Sequence, residues 1–185
     1  MNTELTVDKM KEQFRQYVIK LYQDVPTEVY EGLLSIFCIG VVGLLVFFGW
    51  KRGWKKIVGL LLAEYVFLIY SSTLIFRNYS ESCGFEFTPF WSYDRTDLIA
   101  ENIMNVVVFV PVGILLGLVN GSWLKVKSSW LIAIILGMSI SVSIEVMQYL
   151  FHRGFAETDD VMHNTLGCIL GYLLIKGSRL MVKGE

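Results

Sequence analysis

The stretch EVMQYLFHRGFAETDDVMHN, residues 145–164, separates two strongly apolar runs and carries carboxylates, amides, an arginine and both histidines of the chain. Polar groups inside a membrane helix need partners or water, because a charge at the helix centre costs roughly 2.5–3.5 kcal/mol. Working back from it, Gly137, Ser141, Glu145, Gln148 and His152 follow at spacings of four, four, three and four, which is one face of a helix. Working forward, Asp160, Asn164, Gly167 and Gly171 form a second such face. A third begins earlier, with Asn102, Asn105, Phe109, Gly113 and Gly117. In all three the half nearest the quoted stretch is polar and the far half is small, and small residues let helix backbones approach closely. If the helix from 102 enters where the helix from 130 leaves and the helix from 160 re-enters, the polar halves lie at one depth. The spacing therefore predicts three helices packed on their small residues and splayed into a polar pocket.

The rest of the chain sets this pocket in a membrane. Of 185 residues, 54% are hydrophobic, 14% aromatic and only 18% charged, against about 25% charged in a soluble domain. Mean hydropathy is +0.53. A net charge of −1 offers no basic face to nucleic acid. Cys38 and Cys168 sit in apolar runs and Cys83 in a polar loop, so no disulfide framework is implied. The start, MNTELTVDKMKEQF, lacks the pattern of a cleaved signal peptide.

Apolar windows fall at 30–50, 57–76, 102–120, 130–151 and 160–176, and about 20 helical residues cross a bilayer core. The expected fold is all-α, a polytopic bundle of about five transmembrane helices over 29–176. Before it, Met10, Phe14, Tyr17, Val18, Leu21 and Val25 recur at helical spacing, which predicts an amphipathic interfacial helix within 1–28 that Pro26 ends. Residues 177–185 read as a cytoplasmic tail. Lys and Arg concentrate in 51–56, 121–129 and the tail, so the positive-inside rule puts those segments in the cytoplasm and the quoted stretch outside. Loop 77–101, with Phe85, Phe87, Phe90, Trp91 and Tyr93, is expected to bed in the headgroup region and fold over the outer end of the bundle.

The ligand-binding candidates are Asn102, Asn105, Glu145, Gln148, Arg153, Asp159, Asp160 and Asn164. At 1.5 Å per residue, Glu145 lies roughly 10 Å below the end of its helix and must be protonated, in contact with water, or ion-paired, with Arg153, Arg95 and Arg77 as the candidate cations. Asp159 and Asp160 also suit a helix N-terminus, and the asparagines suit interhelical hydrogen bonds. Glu145, Asp160 and His163 are the candidates for general acid–base chemistry. The His, Glu and Asp spacings match no metal motif, and neither metal nor cofactor is expected.

The runs ENIMNVVVFVPVG (101–113), SVSIEVMQ (141–148) and RGFAETDDVMHNTLGCILGY (153–172) together resemble the VanZ-like family of bacterial membrane proteins. The family pattern is an Asn-rich helix entry with F-x-P-x-G, then S-x-x-I-E-x-x-Q, an arginine loop, an acidic pair and N-T-x-G-x-x-x-G. The resemblance implies a small integral membrane protein of a Gram-positive bacterium. The family's name-giving member is linked to resistance to teicoplanin, a glycopeptide antibiotic that binds cell-wall precursors outside the membrane. Two functions compete on these residues. One is binding or modulation of a membrane lipid or lipid-linked envelope precursor, with Arg153 on a phosphate. The other is an intramembrane enzyme using Glu145 or Asp160 on such a lipid. A transporter and a structural partner of other envelope membrane proteins are weaker alternatives.

Overall fold

The structure, a computed structural model, describes residues 53–96, 98–120 and 129–183, together with Glu12, Gln16, Ile36, Phe37, Gly40 and Gly43. Apart from those six positions, the expected amphipathic helix in 1–28 and the first apolar window at 30–50 lie outside the described residues.

Helix α1 (Trp54–Tyr70) runs into a π-helical turn, Ser71–Ile75. The turn has a local cause: the hydroxyls of Ser71, Ser72 and Thr73 bond back to the carbonyls of Phe67 and Ile69 at 2.8–2.9 Å, competing with the α-helical ladder. Helices α2 (Ile99–Asn120), α3 (Ser129–Leu150) and α4 (Thr158–Lys183) follow. Among the described residues three stretches are long and apolar enough to cross a membrane, Lys55–Ile75, Ile99–Val119 and Trp130–Leu150. Helix α4 opens on an acidic pair and continues to Lys183, so residues 177–183, expected as tail, extend the helix.

The core joins Ile69 of α1, Phe109, Val112 and Leu116 of α2, Ala133, Ile140 and Ile144 of α3, and Cys168 and Tyr172 of α4. Helix α4 packs most closely on α2. A Cβ on Gly113 would overlap the Cys168 carbonyl oxygen, and one on Gly167 or Gly171 would overlap the carbonyl oxygen of Val106 or Val110. Only glycine permits this approach, which is the role its spacing predicts. Helix α3 closes on the same helix at Gly137, where a Cβ would lie 2.8 Å from that of Cys168. Large apolar side chains such as Phe67, Ile135, Leu150 and Leu174 point outward and are exposed, as hydrocarbon-facing positions are.

At one end of the bundle two short strands, β1 (Phe85–Glu86) and β2 (Ala156–Glu157), pair in parallel, Phe85 with Ala156 and Glu86 with Glu157. A 3-10 turn follows at Trp91–Asp94. This pairing stitches the α1–α2 loop to the α3–α4 loop, and bonds from Ser80 N–H to the His152 carbonyl (2.8 Å) and from Ala156 N–H to the Gly84 carbonyl (2.8 Å) extend the seam.

Candidate functional site

The three polar half-stripes meet beneath that seam. Glu145, 5% exposed near the end of α3, accepts the Glu157 backbone N–H at 3.0 Å, tying α3 to β2. Asn105 on α2 donates to Asp160 on α4 at 2.7 Å. Asn164 on α4 donates to Ser141 on α3 at 2.8 Å. One turn beyond Glu145, Gln148 is 2% exposed; its amide N–H₂ makes a long 3.5 Å contact with the Thr73 carbonyl in the π turn. Its Oε1 is buried without a partner among the described residues.

Asp159 belongs to a different part of the arrangement. Its carboxylate accepts from the Phe90 N–H (2.6 Å), the Ser92 N–H (3.0 Å) and the Ser92 hydroxyl (2.5 Å). Asn102 donates to the same Ser92 oxygen at 3.0 Å. Burial acts against the Asp159 charge, but these donors more than offset it and hold the carboxyl below its ordinary range. Phe90 is held at φ 65°, in the left-handed region, and its bond to Asp159 restrains that strained residue. Tyr93 OH then meets His163 Nε2 at 2.9 Å, with the rings stacked. The α1–α2 loop is thus a roof pinned to α4 by Asp159 and His163, and it covers the end of the bundle as expected.

Arg153 donates through Nη1 to the Arg77 carbonyl at 2.5 Å, while its Nε is a buried donor without an acceptor among the described residues. The cation whose charge reaches Glu145, Glu157 and Asp160 is Arg77. Its guanidinium lies against Gly154 (φ +140°), where a Cβ would come within 3.1 Å of it. Burial, reinforced by the charge of Glu101, pushes the Glu157 carboxyl up to about 7. Among the described residues no group of three or more His, Cys, Asp or Glu is placed to hold a metal ion.

All eight ligand-binding candidates and His163 therefore gather at one end of the bundle. The sequence pattern missed Ser92 and Tyr93, which come from a loop without periodicity, and Glu157, which is placed by a two-residue strand. Glu101 could have been found, because it precedes Asn105 by one helical turn. Glu64, in the middle of the Lys55–Ile75 stretch, was also missed; one of its carboxylate oxygens is buried without a partner among the described residues.

The VanZ/LLP1 family model matches residues 36–181, which include every residue of this cluster. The chain belongs to the VanZ/LLP1 family. It is similar to Protein VanZ of Enterococcus faecium, with 31% identity over 107 residues that make up 58% of this chain and 60% of that protein. The chain thus spans less than two thirds of that VanZ relative. No solved structure matches it.

Proposed function

We propose that this VanZ-like membrane protein binds or modulates a lipid-linked component of the cell envelope through the roofed polar cluster, set at the extracytoplasmic side of a multi-pass bundle. In a Gram-positive cell such binding would contribute to resistance to glycopeptides of the teicoplanin type. The observation that carries the reading is the convergence of eight predicted side chains from three helices and the α3–α4 loop at one end of the bundle. Exposed Phe85, Phe87, Phe90 and Tyr93 on the roof suit the headgroup layer. The Arg153 Nε–H, without an acceptor among the described residues, suits a phosphate oxygen. The test is mass-spectrometric identification of lipids retained by the purified full-length protein and by Glu145→Ala. The expected result is a lipid held by the wild type and lost from the variant; identical lipid content in both would remove the support.

One observation favours a second reading, an enzyme acting on such a lipid. Glu145 and Asp160 stand in one polar cluster, Glu145 bonded to the Glu157 N–H and Asp160 to Asn105, and carboxyls held in this way suit an acid or a base. On that reading Glu145→Gln retains the bound lipid but abolishes its turnover.

A further inference from the structure

We propose that the acidic side of the cluster recognises a primary ammonium, so that the preferred ligand is a zwitterionic lipid headgroup with an amine a few bonds from a phosphate ester. This rests on the headgroup reading above and names the chemistry that reading leaves open.

Glu101 from α2, Glu145 from α3, Glu157 from β2 and Asp160 from α4 interact electrostatically, and Arg77 is the cation acting on the last three. Three carboxyls in the field of one guanidinium, with Glu101 as a fourth acid nearby, leave acceptor capacity in excess. Gln148 gives the independent sign. On the same face as Glu145 and one turn along, its amide turns its N–H₂ to the Thr73 carbonyl and leaves Oε1 buried without a donor among the described residues. A buried acceptor left unpaired costs free energy, so acids and amide alike want a donor. An ammonium brings three donors and no acceptor. Glu101, Asn105, Glu157 and Asp160 are only half-buried, so a headgroup can reach them. On the neighbouring side, Arg153 Nε is the mirror case, a donor lacking an acceptor among the described residues, and it lies next to Arg77 through the bond to that residue's carbonyl. One headgroup with a phosphate toward Arg153 and an amine toward the carboxyls satisfies both.

The test compares three lipids on the purified full-length protein by native mass spectrometry: phosphatidylethanolamine, its N-acetyl derivative and phosphatidylglycerol. All three keep the phosphate, and only the first has the ammonium. Phosphatidylethanolamine is expected to bind about tenfold more tightly than either control, the worth of one partly buried ion pair. Glu101→Gln and Glu157→Gln should each erode the preference for phosphatidylethanolamine over phosphatidylglycerol about threefold. Because the N-acetyl comparison uses wild-type protein, it holds whether or not the variants fold. Equal binding of all three lipids would overturn the ammonium assignment and leave the headgroup reading standing. Binding of none would overturn both, and so identify the failure as that of the underlying reading. A preference undiminished in folded Glu101→Gln and Glu157→Gln would also overturn the assignment. Soluble phosphoethanolamine is expected to compete only at millimolar concentration; competition at the lipid's own concentration would overturn the choice of a lipid as occupant.

Discussion

Asp159, 1% exposed, accepts three hydrogen bonds from the roof, so its removal strands buried donors rather than merely uncapping a helix. Asp159→Ala should cost about 2–4 kcal/mol, read as a lower Tm in detergent and faster proteolysis within the α1–α2 loop. Its carboxyl is held below the ordinary 3.8, so its contribution is complete above that pH and is lost as the pH falls through the lower folded value. Glu157 has the opposite sign. Its folded value of about 7 lies above the ordinary 4.5, so the folded state keeps a proton that the unfolded chain releases. Stability therefore declines as pH rises from 4.5 to 7 and stays reduced above it. Glu157→Gln should raise stability by about 1–2 kcal/mol at pH 8, discounted for solvent at the half-buried carboxyl, and leave it nearly unchanged at pH 5. Melting curves at the two pH values check this, and an equal gain at both would refute it. The two acids also mark what was legible. Glu145, Asp160, Asn105 and Asn164 could be placed from sequence because helical periodicity fixes which face a residue occupies. The bonding of Asp159 could not, since its partners Phe90 and Ser92 come from an irregular loop.

At the scale of elements, the glycine stripes allowed the helix contacts to be read in advance, because backbone approach leaves a signature in residue size. A paired substitution tests the contact. Gly171→Ala places a methyl on the Val110 carbonyl, which can move only if α2 and α4 separate, and should cost about 1–3 kcal/mol. Gly177→Ala, six residues further along α4, meets nothing within 4 Å among the described residues and should be neutral or stabilising by up to about 1 kcal/mol through helix propensity. Thermal melts of the two variants separate packing from propensity, and similar melts would remove the close-packed role of Gly171. Other elements left weaker traces. The π turn arises from three consecutive hydroxylated residues whose back-bonding is local chemistry, yet an apolar window at 57–76 reads straight through them. The β1–β2 pair is too short for any alternation, although it delivers Glu157 to Glu145.

For the whole molecule, the helix ends sort into two sets. The roof, the α3–α4 loop and the acidic cluster share one end, while Lys55 and Lys56 begin α1 and Lys176 lies toward the C-terminal end of α4. A bilayer distinguishes such ends through the cytoplasmic preference for Lys and Arg, and the orientation proposed above takes the roof as the outer end. Cys83, half-buried in the roof with its sulfur 3.1 Å from His152 Nδ1, is a native reporter for that end. With Cys38→Ala and Cys168→Ala as background, a membrane-impermeant maleimide should label Cys83 in intact cells. In the same background with Cys83→Ser, Lys55→Cys should label only after permeabilisation. Cys168 is fully buried and close in size to alanine, so the background should fold. The orientation matters beyond topology. A cluster facing the cytoplasm would meet inner-leaflet headgroups and no extracellular antibiotic target, so the reverse labelling pattern would remove the link to glycopeptide resistance while leaving the lipid-binding test intact.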